Sequence, residues 1–270
     1  MLFVELPDYR LHYLQYGSGL PVIFLHGLSF DSRMWMPQYE AFAEEFMAAG
    51  LDFRGHGFSS APEIRYSLDT YVADVSALLN SLHIPSAVLV GLSLGGAVAL
   101  DFAMRYPLRV RALVLASSAL NGYDWSKAWQ EVMRRVRQAN TLQSFRINLR
   151  EYWLKDPMFA GVRTKLEYAR LLSSMAASFS GKPILNGDLQ SNTFSDDPKR
   201  LARIKCPVCV ITGERDRSDF QAIARKLATE IRRVEWHQIP GVGHMVNLEA
   251  PEEFNRIVKS FLYRVEAEGI

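Results

Sequence analysis

Apolar residues along this chain fall into two rhythms, compact runs and helical stripes. Unbroken apolar runs occur at Val22 to Leu25, Ala87 to Val90, Ala112 to Ala116 and Val208 to Ile211. Strands of this kind are buried on both faces, which predicts a parallel sheet covered by helices on either side. Weaker strand candidates lie at Phe46 to Leu51, diluted by Ala48-Ala49-Gly50, and at Arg233 to Ile239. The short alternating segments Leu2 to Leu6 and Arg10 to Tyr16 suit an antiparallel edge.

Helical stripes separate these runs. Leu68, Tyr71, Val72, Val75, Leu78, Leu79 and Leu82 share one face, with Ser67 placed to cap the helix and Asp69 in its first turn. Another helix follows Ser93, carries Val98, Leu100, Phe102 and Met104, and stops at Pro107. A last one starts near Pro251 and runs to Leu262 or Arg264. Such alternation predicts one doubly wound sheet.

Between Asn121 and Pro198 the rhythm changes. Strand-like runs give way to amphipathic segments rich in Trp, Phe, Tyr, Met and Arg. Residues 121–198 therefore read as a helical insertion, or cap, into a core made of residues 1–120 and 199–270. Basic residues outnumber acidic ones in it. Solvated helix faces account for that excess, and a basic rim that attracts anionic substrates is the sharper alternative.

Composition narrows the class without naming a chemistry. An apolar fraction of 49% with 22% charged residues fits an ordinary globular protein of 270 residues. A net charge of +2 offers no case for nucleic acid. The first residues, MLFVELPDYRLHY, lack the basic and apolar regions of a signal peptide, and no window is long and apolar enough for a membrane span. A soluble, cytoplasmic protein that engages neither membrane nor nucleic acid is expected. The two cysteines form Cys206-Pro-Val-Cys209 at the start of an apolar run. Residues three apart in a strand face opposite ways, which opposes a redox disulfide.

The strongest chemical signal is Gly91-Leu-Ser93-Leu-Gly95, followed by Gly96, between a strand and a helix. A tight strand-to-helix turn needs small neighbours and lifts the serine hydroxyl above the carboxyl edge of the sheet. Ser93 is the candidate nucleophile. An alcohol needs a base and an orienting group. His244, in Gly241-Val-Gly-His244 after the run ending near Ile239, is the candidate base. Asp216, in Gly213-Glu-Arg-Asp216, is the preferred orienting carboxylate, with Glu214, Asp219 and Asp124 as rivals. The oxyanion donors are expected to be the backbone N–H groups of Leu94 and of Leu28, the latter in His26-Gly27-Leu28.

Taken together, His26-Gly27, Asp52-Phe-Arg-Gly-His-Gly57 with Ser59, the turn around Ser93, Gly213-x-x-Asp216 and Gly243-His244 resemble the α/β-hydrolase family over nearly the whole chain. The resemblance implies an α/β fold with an eight-stranded, mostly parallel sheet, a Ser, Asp, His triad, neither metal nor cofactor, and a helical cap after the sixth strand. It also implies that Arg54 and His56 anchor a structural turn. Epoxide- and halide-processing members carry an aspartate where this chain has Ser93. Members that cleave carbon–carbon bonds usually carry Gly-Pro-Gly after His-Gly, and lipase-like members often show His-Gly-Gly-Gly, whereas Leu28-Ser-Phe-Asp-Ser32 stands here. What remains is similar to small carboxylesterases and enol-lactonases. The expected activity is hydrolysis of a small-molecule ester or lactone through an acyl-enzyme. Carbon–carbon cleavage, lyase or acyl-transfer use of the same triad, and a slow-turnover receptor, are the alternatives. Trp125, Trp129, Met133, Tyr152, Trp153, Phe159 and Met175 are the candidate pocket residues of the cap.

Overall fold

A computed structural model describes residues 1–187 and 199–269. Its strands are β1 (Leu2–Glu5), β2 (Arg10–Tyr16), β3 (Leu20–Leu25), β4 (Phe46–Leu51), β5 (Ala87–Leu92), β6 (Val110–Ala116), β7 (Val208–Gly213) and β8 (Val234–Ile239). They form one sheet of order β1-β2-β4-β3-β5-β6-β7-β8. Pairing is antiparallel for β1 with β2 and β2 with β4, and parallel from β4 through to β8. The strands with unbroken apolar runs occupy the middle of this order, where both faces are covered. β5 and β7 are buried at every residue.

The weak signal of β4 has a packing cause. Gly50 stands where the hydroxyl of Tyr39 occupies the space a Cβ would need. Tyr39 belongs to α1 (Met36–Phe42), which with Trp35 and Phe42 packs aromatic rings 5.2 to 5.7 Å from Phe24 on β3. Small residues on β4 let that layer close against the sheet.

Helices α2 (Leu68–Ser81) and α3 (Leu94–Arg105) follow the stripes. Ser67 forms a reciprocal capping box with Thr70 at the start of α2, which fixes where that helix begins. Between β6 and β7 come α4 (Lys127–Arg137), α5 (Leu142–Asn148), a π-helical turn at Leu149–Trp153, α6 (Ala160–Arg163), α7 (Leu166–Ser178) and α8 (Lys182–Leu185). The inserted segment is thus helical through Leu185, and residues 188–198 at its end lie outside the described residues. The chain finishes with α9 (Ser218–Glu230), α10 (Val246–Glu249) and α11 (Pro251–Ala267).

Both cysteines are free, and Cys206 precedes β7 rather than lying in it. Among the described residues no helix is long and apolar enough to cross a membrane.

Candidate active site

Four parallel strands, β3 and β5 on one side of β6 and β7 and β8 on the other, deliver candidate groups to one edge of the sheet. The loop after β3 carries Leu28, the turn after β5 carries Ser93, the loop after β7 carries Asp216 and the loop after β8 carries His244. Registers Leu25 to Gly91 and Gly213 to Ile239 keep these carboxyl ends level.

Ser93 sits between β5 and α3 with φ 54° and ψ −111°, a conformation costly for any residue with a Cβ. Hydrogen bonds hold it there. Its N–H donates to Ala116 O at 3.0 Å, and its carbonyl accepts from Ala97 N at 3.2 Å and Ala119 N at 2.9 Å. The turn is so tight that a Cβ on Gly91 would enter the Gly95 carbonyl, and one on Gly95 would enter the Leu25 carbonyl. Both glycines are steric necessities.

His244 and Asp216 meet directly. His244 Nδ1 lies 3.0 Å from each Asp216 carboxylate oxygen, and both side chains are buried. A carboxylate only accepts, so Nδ1 carries the proton and Nε2 of the neutral ring is left as a base. Asp216 is oriented in turn by Arg217 N–H, which donates to Oδ1 at 2.7 Å. The rival carboxylates are engaged elsewhere. Glu214 accepts from Gly241 N at 2.8 Å, and Asp219 accepts from Ser126 N and Oγ at 2.9 and 2.8 Å. Asp124 is exposed at the rim of the cavity described below.

The loop after β3 is fixed by a buried histidine. His26 Nε2 accepts from Phe53 N at 3.0 Å, so Nδ1 carries the proton and donates to Gly27 O at 2.8 Å. Phe30 N donates to the same oxygen at 3.2 Å. In a trans peptide the carbonyl and the next N–H point in opposite directions, so pinning Gly27 O also aims Leu28 N–H. Burial holds the His26 pKa below its usual value. Leu94 is the first residue of α3, where helical N–H groups lack an intrahelical acceptor.

A cavity of about 840 Å³ opens onto Ser93, while His244 and Asp216 are not among its lining residues. Ser93, Leu28 and Leu94 line it, together with Trp125, Trp129, Met133 and Trp153 from the inserted segment. Trp125 stacks on Trp129 at 4.6 Å, and Trp153 Nε1 donates to Ser29 Oγ at 2.8 Å, which ties the insertion to the loop after β3.

Three candidate pocket residues lie elsewhere. Tyr152 is 40% exposed beneath the Arg135 guanidinium. Adjacent residues of a helical turn diverge by roughly 100°, so turning Trp153 inward turns Tyr152 out. Phe159 is fully buried but packs behind the cavity, between Phe30 at 5.5 Å, Trp153 at 5.6 Å and His244 at 6.0 Å. Met175 on α7 is buried and also absent from the lining.

Two groups of the site carry no sequence mark. Phe220 on α9 lines the cavity and places its ring 4.3 Å from that of His244. Glu249 brackets the same histidine, accepting from Gly243 N at 2.8 Å and Met245 N at 3.3 Å. Burial raises the Glu249 pKa against the pull of those two N–H groups. Met158 O accepts from His244 N at 3.1 Å, so the inserted segment also touches this loop.

The turn at residues 52–59 is structural. Asp52 accepts from His12 Nδ1 at 2.8 Å, Ser32 N at 2.8 Å and Phe58 N at 3.0 Å. Burial alone would raise its pKa, but the His12 and His26 rings and these N–H groups hold it below the usual value. Arg54 pairs with buried Asp74 and donates to Tyr9 Oη at 2.6 Å. His56 packs on His26 and Phe179 with Nε2 unpaired, and burial depresses its pKa strongly.

One trio among the described residues, Cys209, Glu235 and His237 on β7 and β8, has metal-ligand spacing, its donor atoms within 4.8 Å of one another. Arg264 already neutralises Glu235 at 2.6 and 2.8 Å, and burial raises the Cys209 thiol, so both potential anions oppose metal capture.

Residues 22–257 match the sequence profile described as Alpha/beta hydrolase family. The chain is 29% identical to 3-oxoadipate enol-lactonase 2 of Acinetobacter baylyi, over 95% of this chain and 94% of that one. A solved structure described as Est816, an N-acyl homoserine lactone degrading enzyme, is 29% identical with a TM-score of 0.74, covering 96% of this chain and 100% of its own. A thermophilic esterase from Thermogutta terrifontis, solved with malate bound, is 26% identical with a TM-score of 0.75 and covers 95% of each chain.

Proposed function

Because the chain belongs to the alpha/beta hydrolase family, we propose that it is a serine hydrolase that cleaves a small-molecule carboxylic ester or lactone through an acyl-enzyme on Ser93. The observation that carries this reading is the buried Asp216–His244 pair, with both carboxylate oxygens 3.0 Å from Nδ1. The enol-lactonase, the lactone-degrading enzyme and the esterase among its relatives act on bonds of this class.

In the proposed reaction His244 Nε2 takes the Ser93 proton as Oγ attacks the carbonyl carbon. The negative charge that develops on the carbonyl oxygen is received by the N–H groups of Leu28 and Leu94. Asp216 stabilises the imidazolium and keeps the ring in the required tautomer. Collapse of the tetrahedral species breaks the carbon–oxygen bond, and His244 returns the proton to the leaving alkoxide. For a lactone that alkoxide stays tethered to the acyl group. Water, activated by His244, then releases the acid and restores Ser93. No step calls for a cofactor or a metal.

A fluorophosphonate probe tests the nucleophile, and a panel of 4-nitrophenyl esters and lactones tests the reaction. Stoichiometric labelling of the native protein is expected, with none in Ser93→Ala. Labelling that persists at another residue refutes the assignment. A single stoichiometric burst without turnover points instead to a receptor.

A further inference from the structure

The cavity changes character along α4. Near the reacting groups it is aromatic, because Phe220 lies 4.3 Å from the His244 ring and Trp129 lies 5.5 Å from Phe220. Trp129, Met133 and Arg137 follow at four-residue spacing, and all three line the cavity. That spacing places them on one stripe of the helix, with Arg137 roughly 12 Å along the axis from Trp129. The stripe thus runs from an aromatic end near the base to a cationic end far from it.

The cations of this helix are not equivalent. Arg134 also lines the cavity, but its guanidinium holds Glu131 at 2.7 and 2.8 Å and Gln138 at 3.0 Å. Arg135 donates to the same carboxylate at 2.7 Å. The Arg137 side chain makes no hydrogen bond or ion pair among the described residues, so its five N–H donors face only solvent or whatever occupies the cavity. The carboxylate that lines the cavity, Asp124, precedes the first turn of α4 and so stands at the opposite end of that helix from Arg137.

Resting on the ester or lactone hydrolase reading, we propose that the substrate carries a carboxylate at the far end of an apolar segment, and that Arg137 selects for it. The scissile carbonyl sits at Ser93, the apolar segment crosses Trp129 and Met133, and the carboxylate meets the guanidinium. A planar carboxylate matches the guanidinium fork in a way that a neutral chain end does not.

A cation in the last turn of a helix also complements the helix dipole, whatever the substrate. The test therefore reads a ratio of two substrates rather than activity alone. The 4-nitrophenyl monoester of suberic acid and 4-nitrophenyl octanoate differ in the terminal carboxylate. In the native protein kcat/KM is expected to favour the suberate ester, and added salt to erode that preference. Arg137→Glu is expected to lower the suberate-to-octanoate ratio by about tenfold and Arg137→Lys by about threefold, since lysine keeps the charge but not the fork. Arg232→Glu makes the same charge change on the surface after α9 and is expected to move the ratio less than about twofold. A ratio unmoved by Arg137→Glu, or moved equally by Arg232→Glu, overturns the proposal. If neither ester is turned over, it is the hydrolase reading that fails. The subsite is then read from quenching of tryptophan fluorescence by suberate against octane-1,8-diol. Quenching by suberate that Arg137→Glu removes sustains the subsite, and equal response to both ligands sinks it.

Discussion

At the carboxyl edge of the sheet, Ser93, Gly27 and the loop of His244 are held by backbone hydrogen bonds and buried polar partners. Across the same cavity, α4 is held chiefly by ring contacts and by Ser126, whose N–H and hydroxyl both donate to Asp219. The two regions share a ligand space but tolerate change differently. The backbone at the sheet edge cannot move without breaking hydrogen bonds that have no substitute, whereas rings on α4 can be exchanged for others of similar volume. The proposed reaction chemistry thus falls on the rigid wall and the proposed selectivity on the adaptable one.

The sharpest way to break that division is at the rigid wall. Ser93→Ala is expected to lower kcat by on the order of 10⁴-fold or more while thermal unfolding shifts little, because only a hydroxyl is lost. Substantial residual turnover would move the chemistry away from the turn. Asp216→Asn should come next, with about a 10³-fold loss in kcat, since an amide can donate to Nδ1 and favour the wrong tautomer. Turnover within tenfold of the native value would make Asp216 a structural carboxylate. Glu249→Ala removes the acceptor on both sides of His244 and is expected to cost about tenfold in kcat with KM nearly constant. Glu249→Gln should restore much of that, as an amide oxygen can still accept. A rise in KM alone would place Glu249 with the cavity wall instead.

Much of the rigid wall is legible in the chain because its requirements are local. A strained serine demands small neighbours, and Gly91 and Gly95 are visible as letters. The capping box of α2 and the apolar runs of β5, β6 and β7 are local in the same sense. The adaptable wall is less legible. Tyr152 and Trp153 are equally apolar in sequence, and only the phase of the π-helical turn decides which one faces inward. Phe220 reads as one more core residue of an amphipathic helix, since pattern does not reveal that its neighbour is the His244 ring. Glu249 is hidden for a different reason, because its partners are main-chain N–H groups that every sequence supplies.

Smaller effects sharpen the comparison. Trp153→Phe deletes the hydrogen bond to buried Ser29 and is expected to destabilise by about 1–2 kcal/mol, with a threefold to tenfold rise in KM as the insertion loosens. An unchanged KM would mean that the anchor does not shape the cavity. The smallest expected effect is one of pH on the rigid wall. Burial lowers the folded pKa of both His26 and His56, so the folded state binds fewer protons than the unfolded chain. Their contribution is complete above the unfolded value of about 6.5 and is lost as the pH falls from there toward the folded values. Thermal midpoints should decline below about pH 6.5, and His56→Phe, which retains the stacking on Phe179, should flatten the decline. An equally steep decline in that variant would place the acid sensitivity elsewhere.

The parallel pairing of β6 with β7 joins Leu113 to Val208 across the whole inserted segment. Closing a chain loop becomes harder only logarithmically with its length, by roughly 0.6 kcal/mol for each doubling. A shorter or longer segment at this point would therefore scarcely alter the equilibrium stability of the sheet. What such an exchange would have to respect is narrower. Arg217, next to Asp216, pairs with Asp156 of the insertion, and Asp219 caps α4 through Ser126. A transplanted lid lacking acceptable partners for those two residues would fold over an intact sheet and still disturb the carboxylate beside them.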